Sequence, residues 1–405
     1  MAAPKRCVVT LSEKVAGQSV LEALAAHLED SGISVEEIGR ISKMGGYQSI
    51  AKLRDADGID ELVKSDLFKW EISPKFEEGP DWPVVDRGPA VKVSARKTST
   101  KAPSEWTTDF IWPDTQIGYF RDVDGELVPT HDEGAIDVAL QLLRAVAPSR
   151  MVRVGDDLDL PDLGKYRQSP AFSGTTQAAL DRNTILGAEQ RQAIGSDGEI
   201  FYIAGNHEER FSNYLLDNAL AAFGLRKGRF PDEAPSAWPV MSIPYLCRLD
   251  DFGIEYRPGY PAADVELGPG FRIVHGHYVN ARGQTASKYL DREKVSVVYG
   301  HIHRREYLAR TFVIDGKPVE IFAASPGCLA RTDGAVPSMK GGTDLDGRPI
   351  IRKGGEDWQQ GVAVAHTKGN TTIYTNVPIV SDGPDRVAVY NGREYVSTVN
   401  RAVDV

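Results

Sequence analysis

Short apolar runs separated by polar segments dominate the chain from Trp106 to about Ile379. Runs of about 4 to 8 apolar residues predict buried strands, whereas apolar positions three or four residues apart predict amphipathic helices. The stretch from Ile136 to Val146 has the helical spacing, and a longer polar and helical insertion covers Leu160 to Gly198. Strands that alternate with helices in this way predict an α/β fold.

Five of the apolar runs end in clusters of residues that can bind a metal ion. These clusters are Asp114, Gly155–Asp159, Gly205–Glu208, His275–His277 and Gly300–His303. Ligands of open α/β sheets bind at the carboxyl ends of the strands. Alternation along a strand would also point the rings of His301 and His303 to one side. The five strand ends therefore predict one shared site.

The first hundred residues follow a different, helical pattern. A first helix ends at Gly32, and a second begins at a capping-box pattern of Ser34 and Glu37, before a third short element. The apolar positions are Val20, Leu21, Leu24 and Leu28 in the first, Val35, Ile38 and Ile41 in the second, and Ile50 and Leu53 in the third. We predict a small helical domain over residues 1–72. A helix-turn-helix unit is the alternative, although no cluster of Arg or Lys marks a recognition helix.

The remainder of the chain divides by composition. Residues 73–104 are rich in Pro, Gly and charged residues, which is typical of a linker. Residues 105–380 contain the alternating pattern and all five clusters, so we predict that they form the domain that carries the site. Residues 381–405 are predicted to be a C-terminal tail or a small edge hairpin.

The composition is that of a soluble globular protein. The chain has 405 residues, of which 41% are hydrophobic and 26% charged. No apolar stretch approaches the roughly 20 residues that cross a bilayer, and the residues after Met1 lack the apolar core of a signal peptide. Three scattered cysteines without a CxxC pair are expected to be reduced and structural. We therefore expect a cytoplasmic protein with no membrane partner, whose metal ligands are His, Asp and Asn.

The net charge of −10 bears on the class of substrate. A surface that broadly coats nucleic acid depends on Lys and Arg, and the acidic balance makes such a surface unfavourable. A local basic groove stays compatible with this charge. A nucleic-acid substrate would have to be held locally, with help from metal.

The clusters supply ligands that divalent metal ions prefer. Two carboxylates, Asp114 and Asp156, with the amide of Asn206 and several imidazoles, are enough for two ions. A carboxylate shared by two ions lets them activate a water and stabilise a phosphoryl transition state. His207 directly follows Asn206, so it could face the substrate and protonate a leaving oxygen.

In their order and spacing the clusters resemble the motifs of the calcineurin-like metallophosphoesterase superfamily, which are DxH, GDxxD, GNH(E/D), a fourth motif with His, and GHxH. The corresponding segments of this chain are, in order, Asp114-Thr115-Gln116, Gly155–Asp159, Gly205–Glu208, His275–His277 and Gly300–His303. Ser325–Leu329 resembles a turn that often follows the GHxH motif in this superfamily. The resemblance covers roughly Trp106 to Ile379 and extends to phosphoesterases of phages and prophages and, more distantly, to nucleases of the superfamily. It implies a four-layer α/β/β/α sandwich after the small N-terminal helical domain.

The resemblance also implies a role for each site residue. The implied ligands are Asp114, Gln116 and His303 for the first ion, Asn206, His275 and His301 for the second, and Asp156 for both. His207 would be the general acid, and Asp159 would hold its tautomer. Arg210 and His277 are candidate substrate-binding residues, with a surface salt bridge as the alternative for Arg210.

One position departs from the family's pattern, because Gln116 stands where a His is usual. A Gln carbonyl oxygen is a neutral ligand that is harder and weaker than imidazole. It should lower the affinity of the first site and shift its preference from zinc towards manganese or magnesium. We expect two divalent ions as cofactors, Mn²⁺ before Mg²⁺, Fe²⁺ or Zn²⁺, and a resting state with mostly one ion stays open.

The implied function is hydrolysis of phosphodiester bonds by a metal-activated hydroxide, with His207 as the acid. Nucleic acid or a nucleotide is the expected substrate, because the appended N-terminal module suggests delivery to a larger molecule. A phosphomonoesterase acting on nucleotides or phosphoproteins is the first alternative. A nucleic-acid-binding protein with an impaired metal site is the second. The oligomeric state is left open.

Overall fold

A computed structural model of the chain describes residues 105–399, apart from 123, 165–169, 282, 315, 335, 337–341, 344–348 and 351–356. It also describes residues 25, 28, 29, 38–54 and 60–74. The chain forms two compact units, Met1–Ala90 and Val91–Val405. The boundary between them falls within the predicted linker, of which residues 75–104 lie outside the described residues.

The described part of the first unit contains a long antiparallel pair of strands, β1 (Ile38–Arg54) and β2 (Asp60–Pro74). The prediction of helices over this range is wrong, because Ile38, Ile41, Ile50 and Leu53 all lie in β1. Short apolar repeats fit a helix and a strand almost equally well, so pairing with a neighbouring segment decides between them.

The first predicted helix falls mostly outside the described residues. Val20, Leu21 and Leu24 belong to that part, whereas Leu28 is helical and buried. The prediction of a helix there therefore stays a prediction.

The second unit contains both strands and helices. Its described strands are β3 (Thr107–Trp112), β4 (Tyr119–Arg121), β5 (Leu127–Pro129), β6 (Arg150–Arg153), β7 (Glu199–Ile203), β8 (Ile254–Arg257), β9 (Asp264–Gly268), β10 (Phe271–Val274), β11 (Ser296–Tyr299), β12 (Arg305–Ile314), β13 (Lys317–Pro326), β14 (Gly342–Thr343), β15 (Pro349–Ile350), β16 (Gly361–Lys368), β17 (Thr371–Pro378), β18 (Val380–Asp382), β19 (Asp385–Tyr390) and β20 (Arg393–Val396). Its described α-helices are α1 (Glu133–Val146), α2 (Thr176–Ile194), α3 (Asn206–Asn218), α4 (Ile243–Leu246) and α5 (Gln284–Arg292), and short 3-10 helices cover Pro161–Leu163, Pro170–Phe172, Leu220–Ala222 and Leu249–Phe252. Among the described residues, no helix has the length and apolar character that a membrane span requires.

Two sheets make up most of this mixed α/β unit. One has six strands in the order β17-β16-β3-β6-β7-β8, and the other has five in the order β12-β13-β11-β10-β9. Strands β3, β6, β7 and β8 run parallel to one another, as do β10, β11 and β13. Because carboxyl ends of parallel strands meet at one edge of a sheet, the polar clusters that follow these strands lie together.

Side chains of each strand alternate between two cores. Ile111 and Val152 of the six-stranded sheet share a core with Ile273 and Val298 of the five-stranded sheet. Residues that point away from this core pack on helices. They are Phe110, Trp112, Met151 and Tyr202 on the side of α1 and α2, and Val297 and Tyr299 on the side of α5. The two sheets therefore share one core, and helices pack on the opposite faces.

The C-terminal stretch, which the sequence leaves open between a tail and a hairpin, forms the three-stranded sheet β18-β19-β20. Two contacts fasten this sheet to α1. The amide of Gln141 donates to the backbone oxygen of Val396 over 2.8 Å, and Arg386 forms a 2.8 Å ion pair with Asp132. Asp132 is also the N-cap of α1, where it accepts a hydrogen bond from the N–H of Ala135.

Candidate metal centre

Two groups of three side chains could each hold a metal ion, and they share one residue. One consists of Asp114, Asp156 and His303, and the other of Asp156, His275 and His301. Within each group the ligand atoms all lie within 4.8 Å of one another. Asp156, the predicted bridging ligand, is the residue that the two groups have in common.

The first group leaves two buried oxygens unpaired. His303 Nε2 lies 3.2 Å from Asp114 Oδ1, and Gln116 Nε2 lies 3.4 Å from the same imidazole nitrogen. Asp114 Oδ2 and Gln116 Oε1 have no hydrogen-bond partner among the described residues. Buried polar atoms are normally paired, so two free oxygens beside a histidine fit a hard divalent cation.

The second group is organised around His275. Its Nε2 lies 3.3 Å from Asp156 Oδ2 and 3.1 Å from Asn206 Oδ1, and its Nδ1 donates to the backbone oxygen of Val154 over 3.0 Å. That donation fixes the tautomer that leaves Nε2 free for a metal ion. His301 Nδ1 is buried and unpaired within the described part of the chain, and the two imidazole rings are 5.3 Å apart.

The charges of the second group suit a cation. Burial disfavours ionisation of Asp156, but the imidazoles of His207 and His275 outweigh it and hold the pKa of Asp156 well below its usual range. Burial and the neighbouring His275 lower the pKa of His301 to about 4, which keeps this ligand neutral. Asp156 overcomes burial to raise the pKa of His275 to about 9, so a metal ion would displace a proton there.

The backbone of the site is strained where its ligands lie. Gln116, Asp156, His301 and His303 have φ angles of 53°, 51°, 67° and 55°, in the left-handed region that residues other than glycine rarely adopt. Such strain collects at functional sites. The motif Gly205–Glu208 begins with glycine because a Cβ atom at position 205 would overlap with the carboxylate of Asp156.

His207 lies beside both groups but belongs to neither. Its Nδ1 is 3.1 Å from Asp159 Oδ1, and its backbone N–H donates to Asp156 Oδ1 over 2.9 Å. Although burial acts in the opposite direction, the two carboxylates raise the pKa of His207. Arg210 Nη2 is 2.7 Å from His207 Nε2, and Arg210 Nη1 donates to the backbone oxygen of Asp159 over 2.7 Å. The residues predicted as acid, orienting carboxylate and phosphate ligand are therefore in mutual contact.

A cleft of about 730 Å³ opens beside these residues. Its lining comprises Asp162, Leu163, Gly164, Asn206, Arg210, Asn213, Tyr214, Leu216, Asp217, Asn218, Tyr260 and His301. The described lining does not include His277, which is exposed and rests against Tyr278, with ring centroids 4.0 Å apart. The structure thus brings Arg210, but not His277, to the cleft.

A buried ion pair that involves Asp157, the residue after Asp156, is not apparent from the sequence. Asp157 forms a 2.6 Å ion pair with Arg153, and both side chains are fully buried. The hydroxyl of Thr115 donates to the same carboxylate over 2.6 Å. Burial outweighs Arg153 and raises the pKa of Asp157 to about 6. The spacing of four residues between the partners is the one signal in the sequence.

Glu208 closes the third motif, where no role is predicted for it, and in the structure it holds two loops of the site together. Its Oε2 accepts hydrogen bonds from the backbone N–H groups of Asp156 and Gly205, over 2.9 and 2.8 Å. Its Oε1 accepts from the N–H of Leu158 over 3.2 Å and from the hydroxyl of Tyr202 over 2.7 Å. Its place three residues after Gly205, as in a capping box, is a signal that the sequence offers.

Glu208→Gln should lower the free energy of unfolding by about 2–4 kcal/mol. The amide of Gln offers one acceptor where the carboxylate offers two, and a hydrogen bond to a charged group contributes about 1.5–3 kcal/mol. Urea denaturation measures the change, with Glu209→Gln, a change at the half-buried neighbour, as the control. Equal shifts of the two urea midpoints would show that Glu208 does not link the loops.

Gln116→His should tighten metal binding at the first group on the order of tenfold, equivalent to about 1.4 kcal/mol. Imidazole is the stronger ligand, and the position already faces His303. Trp358 supplies the readout, because its ring packs edge-on against His303 with centroids 4.0 Å apart. Quenching of tryptophan emission by Mn²⁺, compared with Trp358→Phe, gives the affinity. An unchanged titration would exclude Gln116 from the ligand set.

No family model matches the chain, and no curated protein matches it. Among solved structures, the chain is similar to vacuolar protein sorting 29 from Cryptosporidium parvum, at 12% identity and a TM-score of 0.28, over 72% of this chain and 96% of that one. A likeness at this level transfers neither a family nor a function. The function is therefore inferred from the residues of the site.

Proposed function

We propose that this chain is a metal-dependent phosphodiesterase of the calcineurin-like superfamily that acts on nucleic acid or nucleotides. The observation that carries the proposal is that Asp156 belongs to two overlapping ligand groups, with His207 in contact with it but outside both. The two sheets with a shared core and helices on their opposite faces support the four-layer α/β/β/α arrangement of that superfamily.

Two divalent ions fit the donors of the site. Asp114, Gln116, Asp156 and His303 would hold the first, and Asp156, Asn206, His275 and His301 the second. The many oxygen donors favour Mn²⁺ or Mg²⁺ over Zn²⁺. When bound, such ions lower the pKa of water and offset the negative charge of a phosphate.

The protein's own residues would position the substrate and move one proton. Arg210 lines the cleft and presents a guanidinium that suits a phosphate oxygen. In the structure His207 Nε2 accepts from Arg210; once the guanidinium turns to the phosphate, Nε2 would carry a proton and give it to the leaving oxygen, while Asp159 lies 3.1 Å from Nδ1. The contact between Arg210 and His207 would place the bound phosphate beside this acid.

The charge of the cleft favours a diester over a monoester. Arg210 is the one cationic side chain in the described lining, and two carboxylates, Asp162 and Asp217, share that lining. A phosphodiester carries a single negative charge, whereas a phosphomonoester carries nearly two at neutral pH. A dianion would meet more repulsion from these carboxylates.

The test is turnover of bis-p-nitrophenyl phosphate and p-nitrophenyl phosphate by the full chain with Mn²⁺. We expect release of p-nitrophenolate from the diester, loss of this activity with a chelator, and recovery when Mn²⁺ is returned. Turnover of the monoester alone would replace the proposal with a phosphomonoesterase. Absence of turnover with every divalent metal would reject an esterase function.

A further inference from the structure

An exposed segment after the cleft combines aromatic and basic side chains. Residues 223–230, here the aromatic–basic segment, place Arg226, Lys227 and Arg229 between Phe223 and Phe230. Phe223 is 48% exposed and Phe230 is 75% exposed. Large exposed apolar side chains rimmed by polar ones mark binding surfaces. None of the roles given above to the metal centre uses this segment.

The chain keeps this segment within reach of the cleft. Helix α3 begins at the metal centre, and its residues Tyr214 and Asn218 line the cleft. Phe223 follows Asn218 by five residues, a reach of at most about 18 Å. A hydrogen bond of 2.8 Å from the N–H of Val240 to the backbone oxygen of Leu225 fastens the segment.

The three cations keep their positive charge available. None of them forms an ion pair with a carboxylate in the described part of the chain. Arg229 donates to the backbone oxygen of Glu233 over 2.7 Å, and the carboxylate of Glu233 accepts from the N–H of Phe230 over 3.3 Å. The chain as a whole has a net charge of −10, so a segment with three cations differs from the acidic remainder of the protein. An anionic partner is therefore the complementary one.

We propose that the aromatic–basic segment binds single-stranded nucleic acid and leads it into the cleft. Arg226, Lys227 and Arg229 would contact phosphates, and the faces of Phe223 and Phe230 would stack on bases. A duplex keeps its bases stacked on one another and offers no such faces. The centre of a protein–protein interface is depleted of charge, unlike this mixed surface. That the bound nucleic acid enters the cleft rests on the proposed function. Its binding to the segment does not.

Fluorescence anisotropy of the full chain with a labelled oligothymidylate of about 16 nucleotides tests the binding. A chelator prevents cleavage during the measurement. An abasic strand of equal length and a duplex serve as the comparison ligands. We expect the oligothymidylate to bind more tightly than either of them.

Two sets of changes separate stacking from charge. Phe223→Ser with Phe230→Ser should weaken oligothymidylate binding about 25-fold or more, at about 5-fold per stacked base, and leave the abasic strand unaffected. Arg226→Gln, Lys227→Gln and Arg229→Gln together should weaken both strands. They should also lower the slope of log affinity against log salt by about 2. Phe312→Ser with Lys317→Gln, at exposed positions on the β12–β13 hairpin, is the matched control and should change nothing.

Several results would overturn the proposal. They are equal binding of strand and duplex, segment variants that behave like the control, and wild-type binding to anionic phospholipid vesicles in place of the strand. The outcome is separable from that of the proposed function. Strand binding without turnover of any diester would reject the esterase alone, whereas diester turnover with unaffected segment variants would reject this surface alone.

Discussion

Asp156→Asn should lower kcat/KM for a phosphodiester by at least about a thousandfold and remove both metal ions. The carboxylate of Asp156 belongs to both ligand groups and lies 3.3 Å from His275 Nε2. Asn keeps the shape but loses the charge and one of the two ligand oxygens. Turnover of bis-p-nitrophenyl phosphate and equilibrium dialysis against Mn²⁺ measure the two losses.

The control for this change is Asp217→Asn, which alters a carboxylate that lines the cleft but belongs to neither group. It should leave the bound Mn²⁺ unchanged. If Asp156→Asn retained one Mn²⁺ per chain at the affinity of the wild type, Asp156 would not be a ligand that both ions need.

His207→Ala should lower kcat by about 10²- to 10⁴-fold and keep the metal ions. His207 belongs to neither ligand group, and its Nδ1 lies 3.1 Å from Asp159 Oδ1. The loss should depend on the leaving group, because p-nitrophenolate departs without a proton more readily than a nucleoside alkoxide does. A smaller loss with bis-p-nitrophenyl phosphate than with a dinucleotide is therefore the expected pattern.

Asn213→Ala is the companion variant, since Asn213 lines the same cleft and belongs to neither metal group. It should show no dependence on the leaving group. Equal losses for both substrates in His207→Ala would assign His207 a structural role and leave the general acid to another residue.

Much of the candidate site could be predicted from sequence because its signals are local. Asp156 and Asn206 each follow a short apolar run by a few residues, and parallel pairing of β6 and β7 brings them together. An apolar run followed by a polar cluster thus predicts a strand and also the edge of the sheet at which the polar residues lie. The same local signal could not tell that His277 would be exposed and absent from the described lining of the cleft.

The roles that the sequence did not reveal depend on contacts between distant parts of the chain. Glu208 pairs with N–H groups about fifty positions earlier, and Trp358 packs on His303, which is similarly distant in the chain. The prediction of helices in the N-terminal unit is wrong for the same reason. Its apolar spacing allowed a helix, and only the pairing of β1 with β2 makes it a strand.

The most direct test of the central claim is an anomalous difference map from crystals of the full chain grown with Mn²⁺. The account predicts two peaks, one in contact with Asp114 and His303 and the other with His275 and His301, and both in contact with Asp156. Crystals with Mn²⁺ bound elsewhere, or with a single peak that Asp156 does not touch, would contradict it.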